Sequence, residues 1–351
     1  MSRWTASRQA DRAIGATLGV ALDRLLGEPP HRVHPLVGFG NAMNRVETAL
    51  WSDGRLPGVF HAAAGTLLGA GSGQVLHGGM GLLQTRSTRV RRRADDQDPG
   101  GALLSTRAVA STALACAAAT GGRSLDRAAA SIEALLRTGD LENARAALPT
   151  LVGRDPEGLS ESQIAAAVIE SVAENTVDAV VAPYLAAVAA GASGTLAYRA
   201  INTMDAMVGH RNERYQRYGW APARLDDAAN WIPARLTVLA TALANPRTGR
   251  TALRTARRDG PSHPSPNAGL VEAAAAGSLG VRLGGPLAYG GRTEQRYTLG
   301  TGRAPLAADI TRARRLATRT QLIAILLVDV AACTADRAVR RDGSGRFGSS
   351  R

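Results

Sequence analysis

Three acids within nine residues give the first indication of chemistry. In ESVAENTVD (170–178), Glu170, Glu174 and Asp178 recur at every fourth position. On an α-helix that spacing stacks three carboxylates along one face. Gathered in an apolar stretch they repel one another and lose hydration, and a cation or a proton must relieve that cost. Mg²⁺ is one solution, since hard cations take carboxylate oxygens and keep several waters. A solvated face paired with arginines is the other. In YRAINTMDAMVGHR (198–211), Asn202 and Asp205 stand three apart, and Gly209 predicts a close helix approach. RLDDAANWIPARL (224–236) supplies adjacent Asp226 and Asp227 with Asn230 and Arg235. Such an acidic pair serves metal-bound phosphates and, equally, the first turn of a helix. SHPSPNAGLVE (262–272) ends a proline-constrained loop at an expected helix start, whose N–H groups suit an anion. His263 in that loop reads as a general base or as a structural hydrogen-bonding residue. The glycines of GSLGVRLGGPLAYGG (277–291) let backbone approach a ligand or another helix.

Much other chemistry is excluded. All 42 basic residues are arginine, which removes a Schiff-base lysine and the lysine of a phosphate-binding P-loop. Cys116 and Cys333, the only cysteines, make neither a disulfide scaffold nor a thiolate zinc site. There is no G-x-S-x-G elbow, no H-E-x-x-H pair and no kinase motif set. What remains is acids, amides and arginines, a set suited to metal, phosphate and carboxylate chemistry.

The elements that must position these residues read as helices, and the expected fold class is all-α. With 45% hydrophobic residues but only 4% aromatic, the core must be built from Ala, Leu, Val and Ile. Residues 1–12 read as an amino-terminal extension, 13–335 as a single helical domain containing a charged linker at 86–101, and 336–351 as a flexible tail. Ser124 is expected to open a helix through Arg137, and a short helix around 141–148 to end at Pro149. Ser160 with Gln163 has the capping-box spacing that starts a long apolar helix. The Pro- and Arg-rich stretch 245–267 reads as an exposed loop.

A formal charge of +13 and a pI near 11.1 raise the question of nucleic acid, but no RNA-binding signature or aromatic stacking pattern accompanies them. The arginines instead border apolar runs. Arg86 to Arg93 follow the uncharged 56–85, and Arg312 to Arg319 precede the apolar 322–328. That is how a cytoplasmic membrane border and its anionic headgroups read. No secretory signal peptide is expected, because Asp11, Arg12, Asp23 and Arg24 break up the apolar start. The uncharged 179–198 has the length of a bilayer crossing. In 56–85 the glycines with His61 and His77 suggest a broken or re-entrant path. A mean hydropathy of −0.09 leaves a soluble bundle of alanine-rich helices equally open.

Several of these segments together resemble one family. LDRLLGEPPHRVHPLVG (22–38), LVGRD (151–155), ESVAENTVDAVVAP (170–183), YRAINTMDAMVGHR, RLDDAANWIPARL, HPSPNAG (263–269) and LGVRLGG (279–285) are similar, in order, to the CobD/CbiB family of adenosylcobinamide-phosphate synthases. The resemblance implies a polytopic helical membrane enzyme of the cell membrane, its site motifs towards the cytoplasm. It implies ATP-dependent amide formation with Mg²⁺. The f-side-chain propionate of adenosylcobyric acid would be joined to (R)-1-aminopropan-2-ol or its O-phosphate. Carried onto this chain, Glu174, Asp178, Asp226 and Asp227 would hold Mg²⁺. Arg154, Arg211 and Arg235 would bind phosphate or carboxylate, and Asn175, Asn202 and Asn267 would orient substrate amides. Asp205 or His263 would accept the ammonium proton. Membrane lipid and other enzymes of the cobalamin pathway are the implied neighbours. Two other functions suit the same residues: a non-catalytic membrane subunit that binds corrinoid or docks a soluble ligase, and a transporter.

Overall fold

A computed structural model describes residues 3–30, 32, 34–91, 105–153, 156–210, 212–285, 287–289, 292–294 and 297–345. The expected all-α class holds for them. Among the described residues the only strands are two antiparallel pairs, β1 (Leu283–Gly284) with β4 (Thr298–Leu299) and β2 (Leu287–Tyr289) with β3 (Arg292–Glu294). Two helices, Glu161–Val208 and Ala307–Ala335, are long and apolar enough to cross a membrane. The apolar window of the first is 61% buried by protein and that of the second only 33%, so the second leaves more apolar surface to be covered. Residues 13–335, expected as one domain, group by contacts into two compact units.

Unit 1 comprises Met1–Thr120, Pro183–Asp226 and Ile325–Arg351. Its helices are α1 (Arg3–Leu26), α2 (Pro35–Leu50), α3 (Arg55–Arg91) and α4 (Thr106–Ala119). It also takes most of α8 (Ala182–Val208) and of α9 (Trp220–Ala229), and the end of α13 (Ala307–Gly345). The amino-terminal extension expected over 1–12 is therefore helical from Arg3, and α13 carries the expected tail as far as Gly345. Residues 86–91 of the expected linker are the end of α3, and 92–101 lie outside the described residues.

Small residues set this packing. Added Cβ atoms would meet Val109 O at 2.6 Å from Gly15, and Ala113 O at 2.6 Å from Gly19. The G-x-x-x-G spacing of α1 thus presses its backbone onto α4. The 56–85 stretch is one continuous helix and not a broken path. Its Gly69 and Gly73 admit the backbone of α8 at Leu196 and Ser193. Its two histidines are held inside the unit: His61 bonds Tyr218 at 2.9 Å and His77 bonds Ser111 at 2.9 Å. The uncharged 179–198 is the interrupted one. A π-helical turn covers Val177–Val181, and Gly191 breaks α8 with φ 63°. Arg12 donates to the freed Ala189 carbonyl at 2.7 Å, and Thr195 Oγ1 donates to Gly191 O at 2.9 Å. Both repair the break.

Unit 2 comprises Gly121–Ala182 and Asp227–Ala324. It holds α5 (Gly122–Arg137), α6 (Leu141–Ala147), α7 (Glu161–Thr176), α10 (Trp231–Ala244), α11 (Gly249–Asp259) and α12 (Ala268–Leu279). The start of α13 completes it. Ser160 and Gln163 form the expected capping box at α7. Helix α5 opens at Gly122, two residues before the expected Ser124. The loop expected over 245–267 is mostly helix, because Ala252, Thr255 and Ala256 bury one face of α11 while its arginines stay outside. At the centre lies α12, buried on nearly every side and packed on α7, α10 and α11. Ile132, Leu148, Ile164, Ile169 and Ile310 fill the surrounding core.

Two consequences are measurable. Replacing Gly19 by Leu forces α1 off α4, and overpacking of this kind costs about 1–3 kcal/mol; thermal unfolding in neutral detergent should show the lowered midpoint. Asp259 accepts Gly300 N–H at 2.8 Å, and the adjacent Arg258 holds its carboxyl below the usual range. A depressed carboxyl pKa stabilises the fold above the unfolded value of roughly 3.9, and that contribution is lost as pH falls through the lowered value. Asp259→Asn should therefore melt earlier at neutral pH and lose less on acidification to about pH 2 than the unsubstituted protein.

Candidate functional site

Within unit 2, three separated motifs meet at one side chain. Asn267 is 6% exposed and precedes α12. Its Nδ2 donates to the Asp227 carbonyl at 2.8 Å, and its Oδ1 accepts from Arg235 NH1 at 3.0 Å. Arg235 NH1 also donates to Trp231 O at 2.9 Å, and the guanidinium stacks 4.3 Å from the Trp231 ring centroid. Partial burial pulls the guanidinium below its ordinary pKa, yet a guanidinium stays charged. One edge of the planar fork is thus fixed by protein, and no protein acceptor takes its other N–H groups among the described residues. A fork oriented in this way is matched to a carboxylate or phosphate.

The loop before Asn267 is shaped by His263. Its Nδ1 accepts Ser265 N–H at 2.9 Å, its Nε2 lies 3.9 Å from Glu272 Oε1, and its ring sits edge-on to Tyr297 with centroids 4.1 Å apart. The side chain is 10% exposed. With Nδ1 accepting, the neutral ring carries its proton on Nε2, towards Glu272. The anion site expected at the start of α12 is already filled by protein. Ser265 Oγ accepts from Asn267 N at 3.3 Å and from Ala268 N at 3.2 Å.

The acidic series divides by environment. Glu170 is buried and accepts Gly284 N–H at 2.7 Å, which ties α7 to β1. Gly284 sits at φ +67°, and a Cβ there would meet Tyr297 O at 2.1 Å, so Gly284 serves this junction. Glu174, one turn on, is exposed, and Asp178 lies half-buried in the π-helical turn. Asn175 uses its amide N–H groups on Ser171, at 3.0 Å to the carbonyl and 3.2 Å to the hydroxyl.

In unit 1, Arg199 NH1 donates to Asn202 Oδ1 at 2.9 Å, and Asn202 Nδ2 donates to Asp226 Oδ1 at 3.3 Å. Arg199 thus fixes which way the amide points. One turn along α8 from Asn202, Asp205 lies half-buried. A Cβ on Gly209 would fall 1.9 Å from Asp205 Oδ1, so Gly209 makes room for that carboxylate and not for a neighbouring helix. Asp226 and Asp227 lie in the last turn of α9 and not in a first turn. The carboxyl end of a helix disfavours negative charge, and a cation nearby would offset it. Among the described residues no three His, Cys, Asp or Glu side chains are grouped as a metal site. Magnesium needs no such cage, because one or two carboxylates and a substrate phosphate hold it. Arg154 and Arg211 lie outside the described residues. Sequence reasoning missed Arg199, Trp231, Ser265 and Glu272; the three-residue step from Arg199 to Asn202 was its only visible signal.

The sequence profile of the CobD/Cbib protein family matches residues 16–317. The chain belongs to that family. A CobD/Cbib relative from Mycobacterium tuberculosis, named Cobalamin biosynthesis protein CobD, is 44% identical over 330 residues, covering 92% of this chain and 98% of its own length. One of the same name from Geobacter metallireducens is 40% identical over 320 residues, covering 89% and 94%. Another, from Rhodobacter capsulatus, is 46% identical over 211 residues, covering 60% and 67%. No solved structure matches the chain.

The packing of the family motif HPSPNAG is open to a direct check. A Cβ on Gly269 would lie 2.2 Å from His263 Cβ and 2.5 Å from Gly260 O. Gly269→Ala should destabilise unit 2 by about 1–3 kcal/mol through overpacking. Loss of protease resistance at Tyr297 and the neighbouring loop, followed by limited proteolysis, would report it.

Proposed function

We propose that this chain is an ATP-dependent amide-forming ligase of cobalamin biosynthesis. It joins (R)-1-aminopropan-2-ol or its O-phosphate to the f-side-chain propionate of adenosylcobyric acid, giving adenosylcobinamide or its phosphate. The names of its relatives support the pathway. The observation that carries the reaction type is the Arg235 guanidinium, locked between Trp231 and Asn267, whose Nε and NH2 meet no protein acceptor among the described residues. It is a fitting receptor for the carboxylate to be joined, or for phosphate on the partner amine.

Amide synthesis is uphill in water, so the carboxylate oxygen must first take the γ-phosphoryl group of ATP, releasing ADP. The amine nitrogen then bonds to the acyl carbon, the carbon–oxygen bond to phosphate breaks, and inorganic phosphate leaves with the electron pair. The ammonium proton passes to a base. Asp205 fits that role better than His263, whose Nδ1 is taken by Ser265 N–H. Asn202, oriented by Arg199, and Asn267, oriented by Arg235, would hold amide groups of the corrin periphery. Asn175 would present its carbonyl oxygen, since its N–H groups bond Ser171. Arg154 and Arg211 would add phosphate contacts. Magnesium, held by Asp226 and Asp227 with Glu174 and Asp178 as further oxygen donors, would neutralise phosphate charge.

The reading includes a multi-pass position in the cell membrane with the motifs towards the cytoplasm. Two long apolar helices and arginines bordering apolar runs support it. So do the exposed Leu56, Phe60, Leu67 and Val75 of α3.

The test is synthesis by the purified full-length protein from adenosylcobyric acid, aminopropanol phosphate, ATP and Mg²⁺. Asp227→Ala and Glu174→Ala should each lower product formation by about a hundredfold or more, with the protein still recovered from the membrane fraction. Near-normal turnover by either variant rejects its metal role. Product only after adding a second protein would favour the non-catalytic subunit, and uptake into vesicles without synthesis the transporter.

A further inference from the structure

A second basic feature of unit 2 lies apart from the residues assigned to the reaction. Between α5 and the start of α13 runs a groove of about 560 Å³, lined by Asp126, Thr311, Arg314, Arg315, Thr318 and Arg319. Its floor is fixed. Arg314 Nε and NH2 bond Asp126 at 2.9 and 2.8 Å, and Arg314 NH1 lies 3.5 Å from Glu133. Glu133 is itself paired with Arg137 at 2.8 Å and accepts a hydrogen bond from the Thr311 hydroxyl.

The rim differs. Arg315 and Arg319, one turn apart on α13, are exposed. Among the described residues neither has an acidic partner within salt-bridge distance. By contrast Arg312, on the same helix, pairs with Asp309 at 2.6 Å. The groove therefore carries two guanidiniums beyond those its own carboxylates offset, beside the hydroxyl of Thr318. Guanidinium forks spaced one helical turn apart match the oxygens of a phosphate group. Arg319 stands just ahead of the apolar 322–328, the depth at which headgroup phosphates lie if α13 enters a bilayer.

We propose that this groove binds a phosphate-bearing anion through Arg315 and Arg319, from an anionic lipid headgroup or a soluble oligophosphate. The site does not depend on the amide-forming reading. The experiment titrates full-length protein in uncharged detergent at low salt with tripolyphosphate and, separately, with monomeric dihexanoyl phosphatidylglycerol. Calorimetry gives each affinity. The comparison is between Arg315→Gln/Arg319→Gln and a control of equal charge loss on α11, Arg250→Gln/Arg254→Gln. At least one probe should bind, the groove variant should weaken it about tenfold or more, and the control should stay within about twofold. Preference for tripolyphosphate identifies a soluble ligand, and preference for the lipid identifies a headgroup. Arg315→Lys/Arg319→Lys keeps the charge and the fold, and should retain more affinity than the Gln pair. Binding of neither probe, or equal weakening in groove and control variants, overturns the proposal.

Discussion

At helix breaks and ends and in the strand turns inside this protein, several backbone groups without a helical partner are taken by side chains from far along the sequence. Arg12 takes the Ala189 carbonyl at the Gly191 break. Glu170 takes Gly284 N–H, Asp259 takes Gly300 N–H, Arg312 takes Leu279 O and Asn267 takes Asp227 O. A buried peptide group without a hydrogen bond costs several times what the bond itself contributes. These contacts therefore act as constraints on the path of the chain more than as added stability. Many of the conspicuous polar residues in its apolar segments are accounted for in this way.

The same constraint explains why small residues matter so much. With few aromatic rings to fill space, the helices must approach closely to exclude water, and Gly15, Gly19, Gly69 and Gly73 provide the contact surfaces in unit 1. In unit 2 the alanine-rich α12 plays the corresponding part, buried on nearly every side between its neighbours. Close backbones leave little room for polar side chains, so those that remain inside are fixed by hydrogen bonds. Asn202 and Asn267 are both oriented by an arginine, which makes each amide a preset donor or acceptor and not a flexible one.

Several readings of single residues changed once the fold was known. Glu170 belongs to the acidic series by spacing but to the β1 junction by contact. Gly209 accommodates Asp205, Gly280 caps α12, and Gly284 accommodates the strand contact with Tyr297. His263 holds the loop that presents Asn267. The partner of Glu170 lies 114 positions away, while those of Gly209 and His263 are near in sequence but show only once the backbone path at the end of α8 and through the 262–267 loop is known. The capping box at Ser160 and the end of the short helix before Pro149 were legible because their partners are within four residues. The helix α11 was obscured by its prolines and arginines, which sit at its ends and on its outer face.

From sequence alone follow the helical class, the exclusion of lysine- and cysteine-based chemistry, and the family, since residue types, short-range periodicity and ordered motifs are properties of the linear chain. Only the tertiary structure decided which helices are continuous, which carboxylates serve the backbone, and that Asp227, Arg235 and Asn267 meet. The reason is one of range: capping and helical spacing act over one turn, whereas burial and hydrogen-bond satisfaction are settled between segments that the sequence keeps apart.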